Sequence, residues 1–206
     1  MNRKYNIAII PPEGIAKQAM MMSEHISTEG TYFVLDGTSL YPHISLYHVV
    51  LDDEHLSEIV QAVTDAVSSI QSFPLKSGPY RAVADEWIDV SYEREEGIMV
   101  LHEVVIGAVA SRRAGKELEM NRADWETLDV VARQNLERCG WTDAFEHYAP
   151  HLTFARLRSQ DASILTRLPI MDYSFSVQAI GLYELGDHGT CTKLLHTFSL
   201  SESSKS

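Results

Sequence analysis

The pattern Pro-His-apolar-hydroxyl-apolar occurs twice, as Pro42-His43-Ile44-Ser45-Leu46 and as Pro150-His151-Leu152-Thr153-Phe154, about half the chain apart. Each copy reads as the start of a β-strand, opened by proline and continued by large or β-branched apolar residues. Side chains two apart on a strand share a face. His43 and Ser45 therefore project together, as do His151 and Thr153, while Ile44, Leu46, Leu152 and Phe154 turn toward a core. One such match carries almost no information, because a lone histidine at a strand start is usually a satisfied polar group. Two copies, at corresponding points of two half-chains, call for a fold that sets two strand starts face to face.

The rest of the chain supplies elements to build around them. Tyr5 to Ile10 is β-rich and stops at Pro11-Pro12, which predicts a buried strand. Glu13 to His25 carries Ile15, Ala19 and Met22 at helical spacing, with Ile26 following, and its Met20-Met21-Met22 run reads as core filling. A short strand is expected over Thr31 to Leu35, before a turn at Asp36-Gly37. The first motif predicts a strand from His43 to Leu51. Asp52-Asp53 then caps a helix, Glu54 to Ile70, with Leu56, Ile59, Val60, Val63 and Val67 on one stripe.

Ile88 to Tyr92 and Ile98 to Leu101 predict a hairpin closed near Glu96-Gly97, followed by a helix over Glu103 to Arg113. A loop is expected over Arg112 to Arg122, then a helix over Ala123 to Arg138 ending at Cys139-Gly140. The second motif predicts a strand from His151 to Leu157, and Asp161 to Leu168 a short helix. Phe175 to Leu185 and Cys191 to Leu200 flank a hairpin turn at Gly186-Asp187-His188-Gly189. Ser201 to Ser206 reads as a frayed polar tail. The sum is α+β, with strands meeting as hairpins and helices covering one face.

Composition narrows the partners. With 17 Lys+Arg against 29 Asp+Glu, the net charge of -12 offers no broad basic surface for duplex DNA, long RNA or an anionic membrane. A nucleic-acid partner is therefore expected to be small or single-stranded. Cys139 and Cys191 are too few and too far apart for a disulfide framework or a four-cysteine zinc site. The apolar stretch after Met1-Asn2-Arg3-Lys4 is too short for a signal sequence or a membrane span, so the cytoplasm is the expected address.

Imidazole is the side chain best suited to move protons at neutral pH. Two imidazoles on opposite sides of a phosphorus provide a base and an acid for in-line displacement. Two hydroxyls donate to the non-bridging oxygens where charge accumulates. The paired His-x-[Ser/Thr]-apolar motifs resemble the two-histidine (2H) phosphoesterase superfamily, which includes 2′-5′ RNA ligase-like proteins and cyclic nucleotide phosphodiesterases. The run Thr153-Phe154-Ala155-Arg156 is also similar to that family, and Ser45 departs mildly from its commoner Thr.

The resemblance implies a bilobal α+β fold in which two antiparallel sheets with outer helices form a central cleft, built by residues 1–200 as one unit. It implies metal-independent cleavage, without a cofactor, of a 2′,3′-cyclic phosphate or a related small nucleotide or RNA-end phosphodiester. His43 and His151 would act as acid and base in either order, and Ser45 and Thr153 would hold the phosphoryl oxygens. Two other outcomes stay open: a non-catalytic module binding an AMP-like nucleotide, and a 2′-5′ RNA ligase. A monomer is expected.

Strand parity sorts the neighbouring residues. Tyr47 shares the parity of His43 and Ser45, so it either reaches the cleft as a substrate-stacking ring or packs at the rim. His48 has the parity of Ile44 and Leu46 and is expected to face the core or cap. Arg156 falls on the parity of Leu152 and Phe154, away from the hydroxyl face, which predicts a structural salt bridge. His147 and His151 have a metal-like spacing only on a helix, a geometry Pro150 disfavours. His25, His55, His102, His188 and His196 show no partnering pattern and are expected on the surface or in turns.

Overall fold

The computed structural model describes residues 1–115 and 122–202. In chain order the elements are β1 (Asn2–Ile9), α1 (Glu13–Ser27), β2 (Ile44–Asp52), α2 (Leu56–Val67), β3 (Phe73–Leu75), β4 (Ser77–Val83) and β5 (Trp87–Tyr92). They continue with α3 (Glu96–Val109), α4 (Arg122–Thr127), α5 (Val130–Cys139), β6 (His151–Arg156), β7 (Phe175–Val177), β8 (Ala179–Leu185) and β9 (Cys191–Ser199).

The first motif strand is at the edge of a four-stranded antiparallel sheet, β2-β1-β8-β9, and the second at the edge of a three-stranded antiparallel sheet, β4-β5-β6. A short β3-β7 ladder joins them. The lobes are not successive half-chains, as the repeat alone suggests. The four-stranded sheet takes its strands from both ends of the described chain, and the three-stranded sheet from its middle. Helices cross over as well: α1 packs on β6, whereas α2 and α3 pack together and against β9 and β2. One contiguous apolar cluster results, running from Ile7, Ile44 and Leu46 through Leu101 and Val105 to Leu152 and Phe154.

The strongly patterned elements form as the sequence predicts. In α2 the stripe Ile59, Val63 and Val67 is buried; Asp52 caps not α2 itself but the 3₁₀ turn Asp53–His55 that leads into it, accepting from the Glu54 N–H at 3.2 Å. In α1, Met22 enters the core while Met21 stays exposed. Gly140 ends α5 in the left-handed region at φ +82°, the conformation a C′ glycine adopts without cost.

Other expectations are corrected. Ile98 to Leu101 is not a strand but the first part of α3, and β5 pairs instead with β4 and β6. Helix α3 is packed by α2, β2 and β3, so it is apolar on several faces and hides its helical period. Strand β4 went unseen because Gly78 and Pro79 interrupt it; they fall in a register shift at the sheet edge, where proline's missing N–H breaks no ladder. The helix expected over Ala123 to Arg138 is two, since Asp129 starts α5 afresh by accepting from the Ala132 N–H at 2.8 Å. Thr31 to Leu35 makes only an isolated bridge, Thr31 with Leu157. Most of the loop expected over Arg112 to Arg122 falls on residues 116–121, and most of the expected tail on 203–206, outside the described residues. Among the described residues no helix is long and apolar enough to cross a membrane.

Candidate functional site

The two motif strands approach at a cavity of about 530 Å³, and His43, Ser45, His151 and Thr153 all line it. Asp36 organises the approach to the first motif by accepting the N–H groups of Thr38, Ser39 and Leu40 at 2.7–3.0 Å. Tyr41 then docks its N–H on the Cys191 carbonyl at 3.0 Å. The two histidines are held identically. The His43 Nδ1 donates to the Tyr41 carbonyl and the His151 Nδ1 to the Ala149 carbonyl, each at 2.8 Å and each two residues upstream. A carbonyl only accepts, so Nδ1 carries the hydrogen and Nε2 is left for the cavity.

Both motif strands are also bulged at the same point. Ile7 pairs with Tyr47 and Ala8 with Ser45, so Leu46 has no partner in register. Ile88 pairs with Ala155 and Asp89 with Thr153, so Phe154 has none. Each bulge follows the hydroxyl residue and buries two consecutive side chains, Leu46 with Tyr47 and Phe154 with Ala155. Beyond it the facing of the strand is inverted.

That inversion corrects three readings based on strict alternation. Tyr47 does not reach the cleft: it is fully buried, donates its hydroxyl to the Cys139 carbonyl and packs near Trp141. His48 is not core-facing, because it lines the cavity, packs tilted against Trp141 at 5.0 Å and contacts the Ser45 Oγ through Nε2 at 3.0 Å. Arg156 does form the expected salt bridge, with Glu86 at 2.9 Å, but from the opposite side of the strand. It stands over Trp87 and donates to the His188 Nδ1 at 2.8 Å.

The bulge in β2 is clamped by side chains that the sequence did not mark. His102, expected on the surface or in a turn, is fully buried. Its Nδ1 donates to the carbonyl of bulged Leu46 at 2.8 Å, and its Nε2 accepts the Phe145 N–H at 2.9 Å. Its ring stacks on Tyr148 at 3.9 Å, and the Tyr148 hydroxyl donates to the Ser45 carbonyl at 3.0 Å. A bulge removes ladder partners, and these two side chains replace them. Asn6, buried on β1, adds a 2.8 Å hydrogen bond from Nδ2 to the Ser45 Oγ.

The remaining walls are aromatic and weakly charged. Phe33, Trp87, Trp141 and His188 provide flat surfaces, and Arg81 sits in a bidentate pair with buried Asp89 at 2.8 and 3.1 Å. Burial, reinforced by His151, lowers the His43 pKa to about 4, against opposing contacts from the Tyr41 and Gly189 backbone. Burial, with His43 and His151 nearby, lowers His48 to about 3. His147, close to Asp129 at 3.3 Å, and His188 also line the cavity. The clue for His48 was the adjacent pair Leu46-Tyr47, two large apolar residues that alternation cannot both bury. Among the described residues no three His, Cys, Asp or Glu side chains are grouped as metal ligands. A larger, more open groove of about 700 Å³ beside α3 and α5 contains none of these imidazoles.

No curated protein matches the chain in sequence. Solved structures match it closely in extent and distantly in sequence. The TT0787 protein of Thermus thermophilus aligns with a TM-score of 0.60 at 16% identity, over 98% of this chain and 100% of that one. Escherichia coli LigT in its apo form gives 0.57 at 14% identity, over 98% and 99%. The same protein complexed with 3′-AMP gives 0.59 at 13% identity, over 97% and 99%. At such identities the likeness is one of fold: antiparallel sheets with helices around a cleft. The sequence model of the 2′-5′ RNA ligase superfamily matches residues 36–189, a span that contains both Pro-His motifs and most of the residues lining the cavity between them. With most of its length matched, and both imidazole-hydroxyl pairs inside the match, the chain belongs to the 2′-5′ RNA ligase superfamily.

Proposed function

We propose that this protein is a metal-independent phosphodiesterase that hydrolyses a 2′,3′-cyclic phosphate, on a small nucleotide or an RNA 3′ end. One observation carries the reading: two imidazoles in one cavity, each tied through Nδ1 to the carbonyl two residues upstream and each followed by a hydroxyl on the same face. His43 is the base, because burial keeps it unprotonated at neutral pH. Its Nε2 takes a proton from water as the water oxygen bonds to phosphorus. The doubly protonated form of His151 gives its Nε2 hydrogen to the ribose oxygen as the phosphorus–oxygen bond to that oxygen breaks. Ser45 and Thr153 donate to the non-bridging oxygens, and a ribose phosphomonoester leaves. Proton exchange with solvent resets the pair.

The cavity volume suits one nucleotide, and E. coli LigT has been crystallised with 3′-AMP and with phosphate. One chain carries the entire cleft, so a monomer suffices, with residues 1–200 acting as one two-lobed unit. Hydrolysis of 2′,3′-cyclic nucleotides, followed by chromatography, tests the reading. His43→Ala and His151→Ala should each lower kcat by about 10²–10⁴-fold. Full activity in either variant overturns it. Wild-type protein that binds 3′-AMP in calorimetry and turns over no cyclic phosphate is a nucleotide-binding module instead. Joining of RNA ends would make it a ligase.

A further inference from the structure

Among the described residues, His188 is the one cleft imidazole whose orientation a guanidinium dictates. It occupies the loop between β8 and β9 with φ +57°, a left-handed conformation that strains a non-glycine residue. The loop is tightly held: Thr190 donates both its N–H and its hydroxyl to the Asp187 carbonyl, at 3.2 and 2.8 Å. The His188 ring packs against Tyr32 at 4.9 Å and Trp87 at 6.3 Å. Behind it, Arg156 donates Nη1 to the His188 Nδ1 at 2.8 Å and Nη2 to the Glu86 Oε1 at 2.9 Å. A guanidinium has donors and no acceptor. The His188 Nδ1 must therefore accept, and the ring's hydrogen must be on Nε2.

The loop that carries His188 borders the reaction cleft. His188 and Gly189 line the cavity, and Gly189 lies against both His43 and His48. In a chain of net charge -12, a neutral donor attracts an anion without placing a free cation in the wall. The Arg156 charge is set one residue back and is matched by Glu86. We propose that His188 is a third functional imidazole, locked by Arg156 as the Nε2–H tautomer, which donates that hydrogen to an anionic phosphoryl oxygen in the cleft. Arg156 is then a positioning residue. The assignment rests on the phosphoester reading for its ligand, but the tautomer stands apart from any activity.

Long-range proton–nitrogen NMR of ¹⁵N-histidine-labelled protein at neutral pH should show His188 with a bare Nδ1 and a protonated Nε2. Inorganic phosphate should shift the Nε2 resonance, and Arg156→Met should release the ring into a mixture of tautomers. His188→Gly relieves the left-handed strain, so the fold is retained. It should weaken phosphate binding about ten- to a hundredfold in calorimetry, the span of a hydrogen bond to a charged group. A proton on Nδ1, no phosphate binding by the wild type, or unchanged affinity in His188→Gly overturns the proposal. Cyclic-nucleotide hydrolysis by the wild type that His188→Gly leaves intact would sink this inference alone. His188-dependent phosphate binding without such hydrolysis would sink the phosphodiesterase reading alone.

Discussion

Burial lowers His43 and His102 to about 4 and His48 to about 3, all below the 6.5 of a free imidazole. The unfolded chain therefore binds more protons than the folded one between pH 6.5 and 4, and stability falls as pH falls through that window. Each group adds a slope of up to about 1.4 kcal/mol per pH unit. Carboxylates such as Asp36, held below their ordinary range by hydrogen bonds, contribute only at lower pH. Urea unfolding at pH 7, 6 and 5 should show a falling midpoint. His48→Phe, which sets an apolar ring against Trp141, should flatten that fall by one titrating group. A midpoint independent of pH would mean that these imidazoles are not held neutral. None of the three environments could be read from neighbouring residues. His102 is defined by Leu46, Phe145 and Tyr148, all distant in the chain, whereas the roles weighed for His43 needed only Ser45 and a second copy of the pattern.

Among the elements, α3 is the least legible from sequence and among the most tightly packed. Its first turn contains Gly97, where alanine would ordinarily stabilise a helix by about 1 kcal/mol. Here an added Cβ would fall 2.6 Å from the Phe73 Cγ on β3. Phe73 can clear it only by leaving its rotamer or by shifting β3, which pairs with β7. Gly97→Ala is therefore expected to destabilise by about 1–3 kcal/mol in urea unfolding, the cost of overpacking. A stabilised variant would show that Phe73 rotates freely. The same packing explains why Ile98 to Leu101 resembles a strand: contacts from several sides select apolar residues at every position. By contrast α2, covered on one side, displays its Ile59-Val63-Val67 stripe openly.

At the scale of the whole molecule, the acidic charge bears on substrate size. The Arg81 and Arg156 charges beside the motif strands are matched by Asp89 and Glu86, so neither supplies a free cation to a strand leaving the cleft. Oligoribonucleotides ending in a cyclic phosphate should bind little more tightly than the mononucleotide. The logarithmic salt slope should correspond to about one or two phosphates. Affinity that climbs with each added nucleotide, together with a steep salt slope, would reveal a basic path and overturn this limit. The sequence by itself determined the two imidazole-hydroxyl pairs, the strands that carry them and the acidic net charge, because strand parity and charge are local or additive properties. Only the tertiary structure decided the interleaved lobes, the bulges at Leu46 and Phe154, the burial of Tyr47, and the arrival of His48 and His188 in the cleft. Those depend on the register between strands far apart in the chain, and a one-residue slip there reverses every side chain beyond it.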